Sequence, residues 1–298
     1  MDQQEQVFEQ DFKKEARPGG PFLMQLLFRE PAQLPDKERM CSVMTRRLGP
    51  VECFWHDEKG AGFAAQNYHS QFKDGAVPPQ LMITSCSSFC GADFDAFQKS
   101  QMWDCMEDRD RIFAECQYQV IATDLLAAGL SAKERAQLDM DFMEALVELY
   151  PACEAVYFQT SGKLFPIARI REHQIPKEDR FVYFAVNARF FHIQGTGDML
   201  VDTVGMGTLF LPDVQYHFHG MDPNWVVNHA YHMASYLLDN DNPIQDGDTI
   251  DGMKDGKMNR AIQWECRYEE ALVQPVREVI DVCMGPYASG NREQREED

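Results

Sequence analysis

Cations are scarce in this sequence. Its 298 residues carry 28 Lys and Arg against 48 Asp and Glu, a formal net charge of −20. A protein that grips nucleic acid by neutralising phosphates needs the opposite excess. So does one that adheres to an anionic bilayer. Neither partner is expected. Long apolar runs are missing too. The most apolar-looking stretch, Val120 to Leu130, is broken by Asp124 and falls short of the ~18 residues of a membrane span. Met1 to Glu15 is polar and acidic, without the basic end and apolar core of a secretory signal. The nine cysteines are odd in number and include no C-x-x-C pair. This argues against a zinc ribbon or a thioredoxin-type centre and reads as reduced thiols. A cytoplasmic protein is expected.

Several catalytic signatures are absent as well. Thr160-Ser161-Gly162-Lys163 lacks the upstream glycine of a phosphate loop. Gly195-x-Gly197 and Gly205-x-Gly207 lack the third glycine of a dinucleotide fingerprint. There is no H-E-x-x-H and no G-x-S-x-G. No catalytic residue is assigned.

What remains is a globular chain long enough for about two domains. Residues 1–17 read as an N-terminal arm, closed by Arg17-Pro18-Gly19-Gly20-Pro21. An N-terminal α+β subdomain is expected over 18–160, a C-terminal one over 161–285, and a charged tail over 286–298. The first begins with a strand over Phe22–Phe28, a helix from Pro35-Asp36 to about Leu48, and strands over Val51–His56 and Gly62–His69. That opening fits half of a ferredoxin-like sandwich, as it fits many α+β folds. A helix is expected over Asp108–Ala128, and another behind the capping box Ser131-x-x-Glu134. Strands are expected over Phe181–Ile193 and Asp213–His219, a helix from Asp222-Pro223 to about Leu238, and a short helix over Val273–Val282. The fold class is α+β, with mainly antiparallel sheet and helices on one face.

The densest chemistry lies in Asp213-Val214-Gln215-Tyr216-His217-Phe218-His219. Strand alternation puts Asp213, Gln215, His217 and His219 on one face. Asp213, His217 and His219 are the set that a divalent metal would need. The sequence admits such a metal and does not demand one. The plainer reading is a polar face with ordinary hydrogen bonds. In the following helix, Trp225, His229, His232 and Tyr236 share a stripe, beside Val226, Ala230, Met233 and Leu237. Ordinary packing is the favoured reading of that stripe. Yet four of the eight histidines fall between 217 and 232, and the clustering marks a candidate binding region. The acidic loop Asp239–Gly252, with Asp246 and Asp248, has the oxygens for a hard cation. Its EF-hand spacing fails at Pro243 and Ile250, so turns in which Asp and Asn bond their own backbone are favoured. Cys86 and Cys90 follow a strand, with distant His69 or His217 as the base for a thiolate. Nothing local supports that reading.

These residues resemble a bacterial family of unknown function, number 4261 in the domain-of-unknown-function series. The resemblance rests on Asp202-Thr203-Val204-Gly205-Met206, Leu211 to Phe218, Asp222-Pro223, the helix with Ala230 and Tyr236, and Asp246-Gly247-Asp248-Thr249-Ile250. It spans about residues 199–255, with a weaker echo over Phe22–Met40. It implies a shared fold and a bacterial cytosolic setting, and no activity. Two functions are therefore carried forward. The first is a non-enzymatic protein-binding or regulatory protein, the immunity type being one form, which recognises a basic protein. The second is a metal-dependent hydrolase or metal-binding sensor that uses Asp213, His217 and His219.

Overall fold

A computed structural model describes Val7 and residues 20–290. The expected arm over 1–17, Val7 apart, and the tail beyond 290 lie outside the described residues. The chain divides into two compact units between Asn187 and Ala188, later than the expected boundary after residue 160. The reason is sheet pairing: residues 163–166 form a strand antiparallel to residues 155–158, which keeps the segment after 160 with the first unit. The fold is α+β.

The first unit comprises β1 (Leu23–Phe28), α1 (Lys37–Leu48), β2 (Val51–Asp57), β3 (Gly60–Ala65), β4 (Ser70–Phe72), β5 (Gly75–Val77), β6 (Gln80–Thr84), β7 (Ser87–Ser88), α2 (Ala96–Ser100), α3 (Arg109–Glu115), β8 (Tyr118–Leu125), α4 (Ala132–Leu149), β9 (Ala155–Phe158), β10 (Lys163–Pro166), α5 (Ile167–Glu172) and α6 (Arg180–Ala185). Its main sheet runs β10-β9-β1-β8-β6-β3-β2, with β7 beside β8. Within it, β1, α1, β6, β8, α4 and β9 reproduce the split order of a ferredoxin-like sandwich, β9-β1-β8-β6. The strands that follow α1 directly, β2 and β3, form an antiparallel pair that extends the sheet at its edge. Local order in the sequence thus pointed to the right motif through the wrong hairpin.

Helix signals held where caps were explicit. Asp36 accepts from the Arg39 N–H at the start of α1, and Ser131 and Glu134 close the capping box of α4. The helix expected over Asp108–Ala128 stops at Glu115 instead. Val120, Ala122 and Asp124 alternate inward along β8, so a period of two overrides the helical reading. Phe181–Ile193 divides into α6 and a following strand. Nearly every residue from Phe181 to Val186 is buried, so no periodicity separates helix from strand there.

The second unit contains β11 (Asn187–His192), β12 (Met199–Val204), β13 (Asp213–Phe218), α7 (Pro223–Asn240), β14 (Thr249–Lys254), β15 (Lys257–Glu270) and β16 (Glu278–Cys283). One sheet collects the strands in the order β11-β12-β13-β16-β15-β14. β13 pairs antiparallel with β12 and parallel with β16. The helix expected over Val273–Val282 is β16, built on Val279, Ile280 and Val282, whose branched side chains suit a strand. α7 packs on β12 and β13 and buries Val226, Ala230, Met233 and Leu237. The expected tail is in part structured: Ala288 bridges to Phe218, and the Ser289 N–H donates to the His217 carbonyl at 3.0 Å. Among the described residues no helix is long and apolar enough to cross a membrane.

Candidate functional site

The strand β13 carries the predicted row, and its two faces meet different surroundings. Register aligns Asp202 of β12 with Gln215, Gln215 with Asp281 of β16, and Asp281 with Arg267 of β15. A polar belt therefore crosses the sheet, and Asp202, Asp213, Gln215 and Asp281 are all buried. Such groups must be hydrogen-bonded to be tolerated. Gln215 Nε2 donates to Asp281 Oδ2 at 2.8 Å, and its Oε1 accepts from the Leu272 N–H at 2.7 Å.

Asp213 is the anchor of a second set. Its Oδ2 accepts from Arg277 Nε at 3.1 Å, and its Oδ1 accepts from Thr203 Oγ1 at 3.0 Å and the Met206 N–H at 3.2 Å. Arg277 also donates to Asp202 Oδ2 at 2.7 Å and to the carbonyls of Thr203, Val273 and Pro275. Arg189 clamps Asp202 from the other side at 2.8 and 2.5 Å. Burial alone would raise the Asp202 carboxyl, but the two guanidinia hold it below its ordinary value. For Asp213 burial prevails over Arg277, and its carboxyl lies above the ordinary value. Both Asp213 oxygens are thus committed to the chain itself.

The expected trio Asp213, His217 and His219 is therefore not a ready ligand set. Among the described residues no group of three or more His, Cys, Asp or Glu side chains is placed to hold a metal ion. The carboxylate that does meet the imidazoles is Asp198, just before β12. Its Oδ2 lies 3.6 Å from His217 Nε2, and its Oδ1 accepts from Ser289 Oγ at 2.9 Å. Ser289 Oγ is also 3.0 Å from His219 Nδ1. One hydroxyl has one proton. With that proton directed to the carboxylate, His219 Nδ1–H donates to the serine oxygen. The proton order runs opposite to a nucleophile relay, in which imidazole accepts from serine. This rim cluster ties residues 287–289 to the end of β13. Gly290 completes it: its φ is +73°, and a Cβ there would come within 2.5 Å of His217 Nδ1.

On the opposite face, Tyr216 and His229 are buried together. Tyr216 Oη lies 2.7 Å from His229 Nδ1, and His229 Nε2 lies 3.1 Å from the Asp251 carbonyl. Only the imidazole can donate to that carbonyl, so Nε2 carries the proton and Tyr216 donates to Nδ1. Burial pushes the His229 imidazole down to about 4. His229 is a neutral bridge between α7, β13 and β14. His232 and Tyr236 are exposed, so the stripe does not converge on a site.

The acidic loop is laced to β15. Asp246 Oδ1 accepts from the Tyr268 N–H at 2.8 Å, and Asp248 Oδ2 accepts from the Gln245 N–H at 2.7 Å. These are turn-forming contacts. Cys86 Sγ accepts from the Ala32 N–H at 3.3 Å, and Cys90 is exposed.

Sequence reasoning missed Arg189, Arg277, Asp198 and Ser289. Arg277 is a lone cation beside the apolar run of β16, and that isolation was the available signal for a buried partner. Asp198 and Ser289 carried none, because they meet only through pairing of distant segments.

Residues 202–283 match the model of a family described as a domain of unknown function, DUF4261. No curated protein and no solved structure matches the chain. The match contains Asp202, Asp213, Gln215, Arg277 and Asp281, whereas Arg189, Asp198 and Ser289 fall outside it.

Proposed function

We propose that this chain is a non-enzymatic protein-binding or regulatory protein of the bacterial cytosol, and that it recognises a basic protein through carboxylates on its second unit. One observation carries the reading. In residues 188–290 the inward carboxylates Asp202 and Asp213 are met by Arg189 and Arg277, whereas twelve exposed or half-buried Asp and Glu stand against four exposed or half-buried Lys and Arg. The excess includes Asp239, Asp241, Asp246, Asp248, Asp255 and Glu270. A surface of one sign attracts the opposite sign and speeds encounter at low salt. An immunity-type inhibitor of a basic toxin is one form of this function.

The competing reading, a metal-dependent hydrolase or sensor on Asp213, His217 and His219, would require Asp213 to leave Arg277. That would break the buried Asp213–Arg277 pair and leave Arg277 with Asp202 as its carboxylate partner. Affinity capture from the native host at low and high salt tests the proposal. A specific partner released by salt is the expected result, and capture of none, or of one indifferent to salt, counts against it.

A further inference from the structure

A cleft of about 470 Å³ lies in the first unit between the last turns of α1 and α4 and the short helix α5, and no part of the proposed function uses it. Small-ligand pockets run from about 300 to 1,000 Å³. Val147 and Ile170, both buried, form its apolar part. The charges around them are almost all paired. Arg47 Nη1 donates to Glu144 Oε2 at 2.9 Å, and its Nε and Nη2 donate to Glu148 Oε2 at 3.4 and 3.2 Å. Arg46 holds the other oxygen of Glu148, and Arg180 Nη1 donates to Glu144 Oε1 at 2.5 Å. His173 accepts from the Ile175 N–H at Nδ1 and gives its Nε2–H to Glu144 Oε1 at 3.2 Å. Asp141 also meets Arg180, so three guanidinia balance three carboxylates. Arg171 stands outside that balance. Its Nη2 donates to the carbonyls of Val147 and Tyr150 at 3.5 Å and of Pro151 at 2.9 Å, which fixes the guanidinium at the end of α4. Among the described residues its Nε and Nη1 have no partner and no carboxylate pairs with it. Three N–H donors are thus uncommitted. The residue is exposed, so a dissolved anion has access to it.

We infer that this cleft binds a small organic monocarboxylate, an anion with a compact aliphatic or aromatic body. The carboxylate takes two of the free Arg171 donors as a bidentate pair. The body packs against Val147 and Ile170. The guanidinium is already held in place, so little ordering opposes binding. One uncompensated positive charge suits one negative charge. A phosphate dianion would bring a second charge close to Glu144 and Glu148, which repel it. A cationic ligand finds no open acceptor, because each of the four Glu144 and Glu148 oxygens already accepts a hydrogen bond.

Benzoate is the probe, with benzamide as its uncharged counterpart and inorganic phosphate as the dianion. The full-length protein is isotope-labelled at the isoleucine δ1 methyls, and Ile170→Val identifies the Ile170 signal by its loss. Benzoate should shift that signal saturably through its ring current, at one site per chain. Benzamide should leave it unmoved, and phosphate should bind about tenfold more weakly than benzoate. Arg171→Gln should weaken benzoate binding about tenfold. Glu148→Gln removes a negative charge beside the site and should tighten binding about threefold. A thermal melt reports whether Arg171→Gln is folded, and the benzoate–benzamide comparison in the wild type decides without it. An unmoved Ile170 signal, an equal shift by benzamide, phosphate binding as tight as benzoate, or undiminished binding by a folded Arg171→Gln protein would each overturn the inference.

Discussion

Arg277 Nε meets Asp213 Oδ2 at 3.1 Å inside the second unit, with both side chains almost fully buried. The pair turns a strand face that looks, by spacing, like a row of metal ligands into part of a fold-holding network. Removing one partner of such a pair leaves a buried charge uncompensated, which costs about 3–5 kcal/mol. Arg277→Met should therefore lower the urea unfolding free energy by about that amount. Asp213→Asn should cost less, about 1–2 kcal/mol, because the amide oxygen can still accept from Arg277, which keeps Asp202 as a charged partner. An Arg277→Met protein as stable as wild type would remove the network from the account.

His229 predicts an acid-side loss of stability. Its folded pKa is about 4, against an ordinary 6.5. Between those values the unfolded chain holds a proton that the folded chain excludes, so stability falls as pH drops from 6.5 towards 4. The full loss attributable to this group is about 3 kcal/mol. His229→Gln should flatten that part of the pH–stability profile, measured by urea melts at half-unit steps. An unchanged slope would show that His229 is not the neutral bridge.

Asp139 predicts the opposite sign in the first unit. It is fully buried on α4, and neither oxygen has a hydrogen-bond partner among the described residues. Burial, then the nearby Asp124 charge, push its carboxyl well above the ordinary 3.8. The folded state keeps the proton after the unfolded chain has lost it, so stability declines as pH rises from about 3.8 through the raised folded value. Asp139→Leu should remove that decline and match or exceed wild-type stability at pH 8. A leucine variant less stable than wild type at pH 8 would reveal a hidden partner for the carboxyl.

The legible parts of the sequence were those in which one local rule decides. Asp222 and Pro223 began α7 as their chemistry dictates, and Ser131 with Glu134 began α4. The alternation of Asp213 to Phe218 defined a strand and both of its faces. Partners set by long-range pairing were illegible. Asp213 finds Arg277 sixty-four residues later, and Asp198 meets Ser289 across ninety-one. No spacing rule connects such positions. The same limit explains the ferredoxin-like motif: its strands β6 and β8 are separated from α1 by a hairpin that the sequence offers first.

The central claim is that exposed carboxylates of the second unit recognise a basic protein. Asp241 and Asp255 sit at φ +54° and +52°, where asparagine is also tolerated, and an asparagine at Asp246 keeps an oxygen for the Tyr268 N–H. The triple variant Asp241→Asn, Asp246→Asn, Asp255→Asn thus removes three charges while preserving the local backbone. The decisive measurement is quantitative affinity capture of the native partner by wild type and by this variant, at low and high salt. The account predicts that the variant recovers roughly tenfold less partner at low salt, with the difference vanishing at high salt. Equal recovery by the two proteins at low salt would contradict it.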